Sequence, residues 1–564
     1  MKRLFFSLSF ILFLFIAISA EAVSVGESLD FNIQPSYDLE AREEISAALI
    51  KITPKLYFYI DENYWNSLTY YQQAEIKTAL DNLGQEFEDR IYPILNSNFG
   101  LEWKPGIDKD DRITVLFHKM GKEAGGYFNT GDEYLKSQVP ESNQREMVYL
   151  NLDYITSPLE KSFLAHEFTH LIIFNQKEKK QGISEETWLN EGRAEYAPTL
   201  IGYDDIYEGS NLQRRIKNFV KNPNDSITEW KNQEADYGSL DLFIQYLVEH
   251  YGIEILTDSL YSSSVGIASL NEALRENGFS EDFSQIFSNW LIAVLVNDCD
   301  LGENYCYFNQ NLKKFKITPI TYFLPFVGEG MLSVNYSTKN WAGNWQKFIG
   351  GEGDLKLEFS APPGIKFNLS YLIETSEGRF EIHNLLLDEE QKGEIYVPDF
   401  RKKYISLTII PSIQNKISKF DDLEPSYQFS WEASITKENT ETEAELIKKL
   451  LAQIEELKKE IVRVQAKIDA ILGKQSCQKF ENDLYYEMKD SFEVRCLQEF
   501  LKNQGPDIYP EGLVSGNFLD LTKKAVIRFQ EKYAADILIP LGLEKGTGFF
   551  GPSTRAKANQ LLGY

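Results

Sequence analysis

His166-Glu167-Phe168-Thr169-His170 sets two histidines four positions apart, with a glutamate directly after the first. On a helix, residues at i and i+4 share one face, so both imidazoles can reach one metal ion while Glu167 stands beside them to polarise a water. The chain has five histidines in 564 residues, which makes a chance match of this kind rare. A third ligand is suggested by "SEETWLNEGRAEYAPTL", where Trp188, Glu191 and Glu195 fall on one face of a second helix after a turn at Gln181-Gly182. Two histidines and Glu191 leave a fourth position open for water, as a catalytic rather than a structural zinc requires. Glu195 is placed to accept a hydrogen bond from a ligand histidine and fix its tautomer; a solvated helix carboxylate is the plainer reading.

These side chains need rigid elements to hold them. Ser157-Pro158-Leu159-Glu160 reads as a helix start, with Ser157 as cap, Pro158 at the first helical position and Glu160 returning a capping-box bond. Ser184 reads as the cap of the second helix. Upstream, "ALIKITPKLYFYID" is extended, "YQQAEIKTALDNLGQEFEDRIYPIL" is helical, and "DRITVLFHKM" and "REMVYLNLDYI" are strands. The order predicts an α+β domain rather than a regular βαβ alternation. Gly125-Gly126-Tyr127-Phe128 suits an exposed strand edge that pairs with an extended peptide, and equally a hairpin turn. Helical patterns dominate from about Ser157 to Cys306. Short β-rich runs between Gly, Pro and Asp turns then fill residues near 316 to 436, which predicts a β-sandwich.

Beyond them Ile447, Leu450, Ile454, Leu457, Ile461, Val464, Ile468 and Ile471 recur in alternating steps of three and four, an a/d seam. A self-associating or hairpin-forming coiled coil and a single linking helix both fit that pattern. Residues 477 to 564 form a last compact domain, for which Leu497, Phe500, Leu501, Val526, Phe529 and Leu561 are the expected core of a three-helix bundle.

The length calls for several domains, roughly three to five. With 43% hydrophobic and 25% charged residues the chain should be mostly globular, and its formal charge of -27 repels rather than neutralises a nucleic-acid backbone. Met1-Lys2-Arg3, the apolar run to Ile18 and the small residues Ala20 and Ala22 read as a secretory signal peptide over 1–22; a retained anchor is the other reading. Cys299 with Cys306, and Cys477 with Cys496, lack CxxC spacing and are expected as two local disulfides in an exported protein.

"HEFTH" followed by "WLNEGRAEY" resembles the gluzincin metallopeptidases. With "GGYFNTGDEY", "SNQREMVYLN" and "DYGSLDLFIQYLVEHYG", roughly residues 45 to 310 are most similar to the hyicolysin-like neutral metallopeptidases. The resemblance implies an α+β catalytic domain with one zinc ion per chain, held by His166, His170 and Glu191. Glu167 is then the general base that takes a proton from the attacking water and later delivers it to the leaving amine. Related gluzincins draw an oxyanion donor, a Tyr or His, from a later helix. Tyr237 is the candidate here, with a packed core tyrosine as the alternative; His118 and His250 are weaker candidates that read as surface or structural residues. No aminopeptidase-type "GAMEN" segment is present, so an endopeptidase is expected.

The tail, "VRCLQEFLKNQG", "GLVSGNFLDLTKKAVIRFQEKY" and "KGTGFFGPSTRAKANQLL", resembles the peptidoglycan-binding domain of bacterial wall enzymes over about residues 480 to 562. It departs from the family at "KDSFEV", where a glycine usually precedes the acidic turn. The expected organisation is a signal peptide (1–22), a zinc metallopeptidase domain (23–312), a β-sandwich-like domain (316–436), a coiled-coil spacer (440–474) and a peptidoglycan-binding domain (477–564). The expected protein is secreted or wall-associated and acts on protein or peptide substrates. Two rival readings are a non-catalytic wall-bound scaffold or adhesin, and a hydrolase of peptidoglycan cross-link peptides.

Overall fold

The structure, a computed structural model, describes residues 24–121, 124–325, 330–415, 417, 420–436, 448, 451, 452, 454, 457, 458, 464, 477 and 479–564. The expected signal peptide lies outside the described residues, as does nearly all of the expected coiled coil. The N-terminal sheet contains β1 (Ser28–Asn32), β2 (Glu44–Ile52), β3 (Leu56–Asp61), β4 (Ile113–His118), β5 (Gly126–Tyr127) and β6 (Met147–Asn151), in the order β1-β2-β3-β4-β6-β5. The β3–β4 and β4–β6 pairs are parallel and the others antiparallel. A parallel pair needs a crossover. Between β3 and β4 it is made by α1 (Glu62–Ser67), α2 (Tyr70–Glu86) and α3 (Tyr92–Phe99).

Every residue of β4 and β6 is buried, as expected for strands covered on both faces. The period of two divides their side chains between two cores. Phe58, Val115, Phe117, Val148 and Leu150 face the large helical core, whereas Tyr59, Leu116, Met147 and Tyr149 face a smaller one under β1 and β2.

Seven helices follow: α4 (Glu160–Phe174), α5 (Thr187–Ile201), α6 (Asn211–Lys221), α7 (Glu234–Tyr251), α8 (Glu254–Tyr261), α9 (Gly266–Glu276) and α10 (Phe283–Val296). Helix α4 is buried almost all round, and Leu164, Phe168, Leu171 and Ile172 anchor it in the large core. Each such side chain contributes about 1.5–3 kcal/mol by leaving water, enough to hold the two histidines rigidly.

Its start differs from the sequence expectation. The helix begins at Glu160 with Leu159 in the cap position, and the Ser157 hydroxyl accepts only from the Leu159 N–H. Glu160 is not in a capping box; its carboxyl is buried without a partner, and burial pushes its pKa well above the ordinary value. Helix α5 likewise begins at Thr187 with Glu186 at the cap, so Ser184 lies outside it.

The β-rich part contains β7 (Ile320–Leu324), β8 (Gly330–Lys339), β9 (Gln346–Gly350), β10 (Gly353–Ser360), β11 (Phe367–Thr375), β12 (Phe380–Leu385), β13 (Lys392–Phe400), β14 (Tyr404–Ile413) and β15 (Ser426–Thr436). One ladder runs β12-β11-β14-β9-β7 and the other β13-β10-β15-β8. The pair Phe400 with Tyr404 joins them on one side, and a bridge from Asn340, just after β8, to Ile413 of β14 meets them on the other, giving one near-closed sheet. Their apolar faces meet in one core, where Trp431 of β15 packs edge-on against Phe348 of β9 at 4.5 Å.

This part is fastened to the helices by buried groups. Trp341 and Trp345 belong to the large helical core, the Trp345 indole donates to Leu291 O (2.7 Å), and the Thr228 hydroxyl donates to Glu424 (2.6 Å).

The chain divides after Thr442 into a second compact unit. Helices Phe492–Asn503, Asp520–Lys532 and Pro552–Leu561 enclose a core with Leu497, Phe500, Leu501, Val526 and Phe529. Leu561, expected in that core, is 42% exposed, and Phe550 and Ala558 are buried in it. Helical spacing did not reveal that Phe550 comes from the loop before the last helix.

Two glutamines repeat one device in this unit. Gln498 bonds the Ser515 and Gly516 N–H groups and Thr522, while Gln530 bonds the Gly548 N–H and Thr554. Both expected disulfides, Cys299–Cys306 and Cys477–Cys496, are formed. Among the described residues, no helix is long and apolar enough to cross a membrane.

Candidate metal centre

Helix α4 carries His166 and His170 on one face, and α5 packs against it so that Glu191 meets them. Their ligand atoms lie within 4.8 Å of one another. His166 Nε2 is 3.3 Å and His170 Nε2 3.7 Å from Glu191 Oε2, and the two Nε2 atoms are 3.2 Å apart. The other ring nitrogens are occupied: His166 Nδ1 faces Glu195 Oε1 at 3.1 Å, and His170 Nδ1 faces Asn190 Oδ1 at 2.9 Å. Both Nδ1 atoms must donate there, which leaves lone pairs on both Nε2 atoms aimed at each other and at a buried Glu191 oxygen that has no hydrogen-bond partner. Three converging lone pairs repel unless a cation sits among them, and this donor set and spacing fit a zinc ion.

The supporting shell is deeper than the motif suggests. Glu195 accepts from Arg215 Nη2 (2.5 Å) and Nε (2.6 Å) and from Asn211 Nδ2 (3.1 Å) while holding His166. Burial opposes its charge, but Arg215 and His166 keep its carboxyl well below the usual range. The solvated reading of Glu195 is therefore excluded: it is 1% exposed. Burial disfavours the His166 imidazolium, yet Glu167, Glu191 and Glu195 together hold its pKa up at about 10. The negative charge that favours a proton at His166 equally favours a metal cation among these three ligand atoms.

Glu167 is 5% exposed and lines the cleft beside His166. Burial pushes its carboxyl up to about 8, with His166 opposing and Glu191 and Glu195 reinforcing the rise. The helix approaches the sheet edge closely here: a Cβ on Gly126 would stand 2.6 Å from Tyr149 O and 3.0 Å from Glu167 Cγ. Gly126 lies in β5, the edge strand beyond β6, and both Gly125 and Gly126 line the cleft. Gly126 thus lies on a sheet edge, with Gly125 directly before the strand.

Tyr237 of α7 also lines this cleft, with its hydroxyl donating to Asn232 Oδ1 (2.9 Å) and its ring under Arg215 at 4.2 Å. It is half-buried, not sealed in the core. Asn232 in turn donates to the Tyr37 hydroxyl (2.8 Å), so two tyrosines share one amide at the cleft wall. His118 and His250 lie elsewhere: His118 is fully buried against Asp38 (3.1 Å), and His250 Nε2 meets Cys306 O (3.0 Å).

Tyr37, Asn190, Asn211, Arg214, Arg215 and Asn232 were not found from the sequence. Arg215 alone had a local signal, a cation on the same α6 face as the buried Leu212, Ile216 and Phe219.

The chain matches no protein-family model and no curated protein. Among solved structures, a Yersinia pseudotuberculosis-derived mitogen matches at 8% identity over 20% of this chain and 91% of that one, with a TM-score of 0.14. PliG from Aeromonas hydrophila, a periplasmic inhibitor of g-type lysozyme, matches at 12% identity over 20% and 95%, also with a TM-score of 0.14. Likenesses of this size carry no argument about the metal centre.

Proposed function

We propose that the chain is a zinc-dependent endopeptidase of the gluzincin type, similar to the hyicolysin-like enzymes, exported and tethered to peptidoglycan by its C-terminal unit. The observation that carries the reading is the convergence of the His166, His170 and Glu191 lone pairs beside the buried Glu167 carboxylate. Zinc held by these three residues supplies a Lewis acid that acidifies a water and polarises the scissile carbonyl.

This chain's own residues do the rest. Glu167 accepts the proton of the attacking water and returns it to the leaving nitrogen, a task for which it stands beside His166 in the cleft. Glu195 and Asn190 hold the two imidazoles in the tautomer that presents Nε2. Tyr237 is the candidate donor to the developing oxyanion, for which its hydroxyl turns from Asn232 Oδ1, while the Tyr37 hydroxyl, which accepts from Asn232, keeps its own proton to donate. The β5 edge at Gly126 offers backbone groups to an extended peptide. The two disulfides are compatible with an oxidising compartment.

The decisive experiment measures bound zinc and casein hydrolysis for the wild type and Glu167→Ala. The expected result is about one zinc per chain in both proteins, with hydrolysis lost by at least about a hundredfold only in the variant. Equal hydrolysis in both would refute the role of Glu167, and a zinc-loaded wild type with no hydrolysis would favour the scaffold reading.

A further inference from the structure

The cleft carries a cation that the proposed zinc chemistry does not use. Arg214, next to Arg215 on α6, lines the same cleft as His166 and Glu167. Arg215 spends its charge on Glu195. Arg214 does not: among the described residues it has no carboxylate within ion-pair distance. Its one hydrogen bond is from Nη2 to Asn211 Oδ1 (2.8 Å), while its Nε is buried without a partner. Its guanidinium lies over the Phe163 ring at 5.0 Å, and Phe163 is itself a cleft residue. Burial and the adjacent Arg215 lower its pKa to about 10.

Arg214 is half-buried, and a guanidinium partly withdrawn from water with no anion beside it carries a desolvation cost. A carboxylate entering the cleft would relieve that cost and could bind in the planar two-point manner that arginine favours. Asn211 fixes the orientation, because its amide nitrogen is committed to Glu195 and its oxygen therefore faces Arg214. The same amide couples the zinc-supporting shell to the cation.

We propose that Arg214 is the specificity-determining residue of this cleft and receives a substrate carboxylate beside the scissile bond, so that the enzyme prefers to cut next to acidic residues. This rests on the peptidase reading above. The carboxylate has two possible sources, an acidic side chain flanking the bond or the free C-terminus of a short substrate, and two substrate sets separate them. One is a peptide library with blocked ends and every residue varied at the two positions on each side of the bond. The other is the same library without acidic residues but with free C-termini.

Zinc-loaded wild type, Arg214→Met, Arg214→Lys and Arg214→Glu are compared, with zinc content and thermal midpoint recorded for each. The expected result is enrichment of Asp or Glu at one flanking position in the blocked set. Arg214→Met should lower kcat/KM for the acidic peptides by about 10- to 100-fold, mainly through KM, with partial recovery in Arg214→Lys. Arg214→Glu should turn the preference at that position towards Lys and Arg, which a merely structural role would not do. Preference confined to the free-C-terminus set reassigns the carboxylate to the substrate terminus while keeping Arg214 as its receptor. Cleavage without any carboxylate preference, or a preference unchanged in all folded variants, overturns the inference alone. Absence of cleavage by the zinc-loaded wild type overturns it together with the peptidase reading.

Discussion

At the scale of single residues, the proposed metal centre depends on charges beyond its three candidate ligands. His166 is oriented by Glu195, and Glu195 is held by two bonds from Arg215. Removing Arg215 leaves a buried carboxylate facing Glu167 and Glu191 without its counter-ion. We therefore expect Arg215→Met to weaken zinc binding by about 10- to 100-fold, measured by competition with a chromophoric chelator. Unchanged affinity in a folded variant would show that Glu195 needs no cation behind it. The candidate ligands His166, His170 and Glu191, with Glu167 beside them, were legible as a cluster because three of the four sit in one turn and Glu191 in the next helix. Tyr37, Asn232, Arg214 and Arg215 were not, because their meeting depends on how β1's following loop, α6 and α7 fold over α4, and no local spacing encodes that. The buried cation at position 215 was the one available hint.

At the scale of elements, helices and strands followed from periodicity, whereas partners did not. The extended character read in "ALIKITPKLYFYID" is found in β2 and β3, but nothing local pairs β3 with β4 across three helices. The same holds for the loops that close over the sheet. Glu133, from the turn after β5, and Glu146, just before β6, are 2% and 3% exposed and face each other, with Asp108 and Asp132 nearby. Burial raises Glu146 to about 7, and burial with the Glu146 charge also drives Glu133 well above its ordinary value. Groups whose folded pKa exceeds the unfolded value favour the fold fully below the unfolded pKa, near 4.5, and lose that contribution as pH rises through the folded one. Stability should therefore decline between about pH 4.5 and 7, by an amount of order 3 kcal/mol, and level off above that. Glu146→Gln should flatten that decline in thermal melts followed at stepped pH. An identical slope in the variant would remove the pair as its cause.

At the scale of the whole molecule, the boundaries differ in kind. The helical and β-rich parts share a core through Trp341 and Trp345 and are bonded through Thr228, Glu229 and Glu424, so removing the β-rich part would expose two tryptophans and break a buried polar network. The break after Thr442 is different, because each side has its own disulfide and its own hydrophobic core. The sequence marked that boundary by a change from β-rich runs to heptads, and it marked the earlier transition near residue 316 by texture just as well. Texture reports what a segment becomes, not whether it can stand apart. If the tail only places the enzyme, a chain ending at Thr442 should hydrolyse casein within about twofold of the full chain per bound zinc, since the cleft residues all precede the break. The full chain, but not the shortened one, should co-sediment with purified sacculi. Loss of casein hydrolysis in a folded, zinc-loaded shortened chain would show that the tail contributes to catalysis, and co-sedimentation of both chains would place wall binding outside the tail.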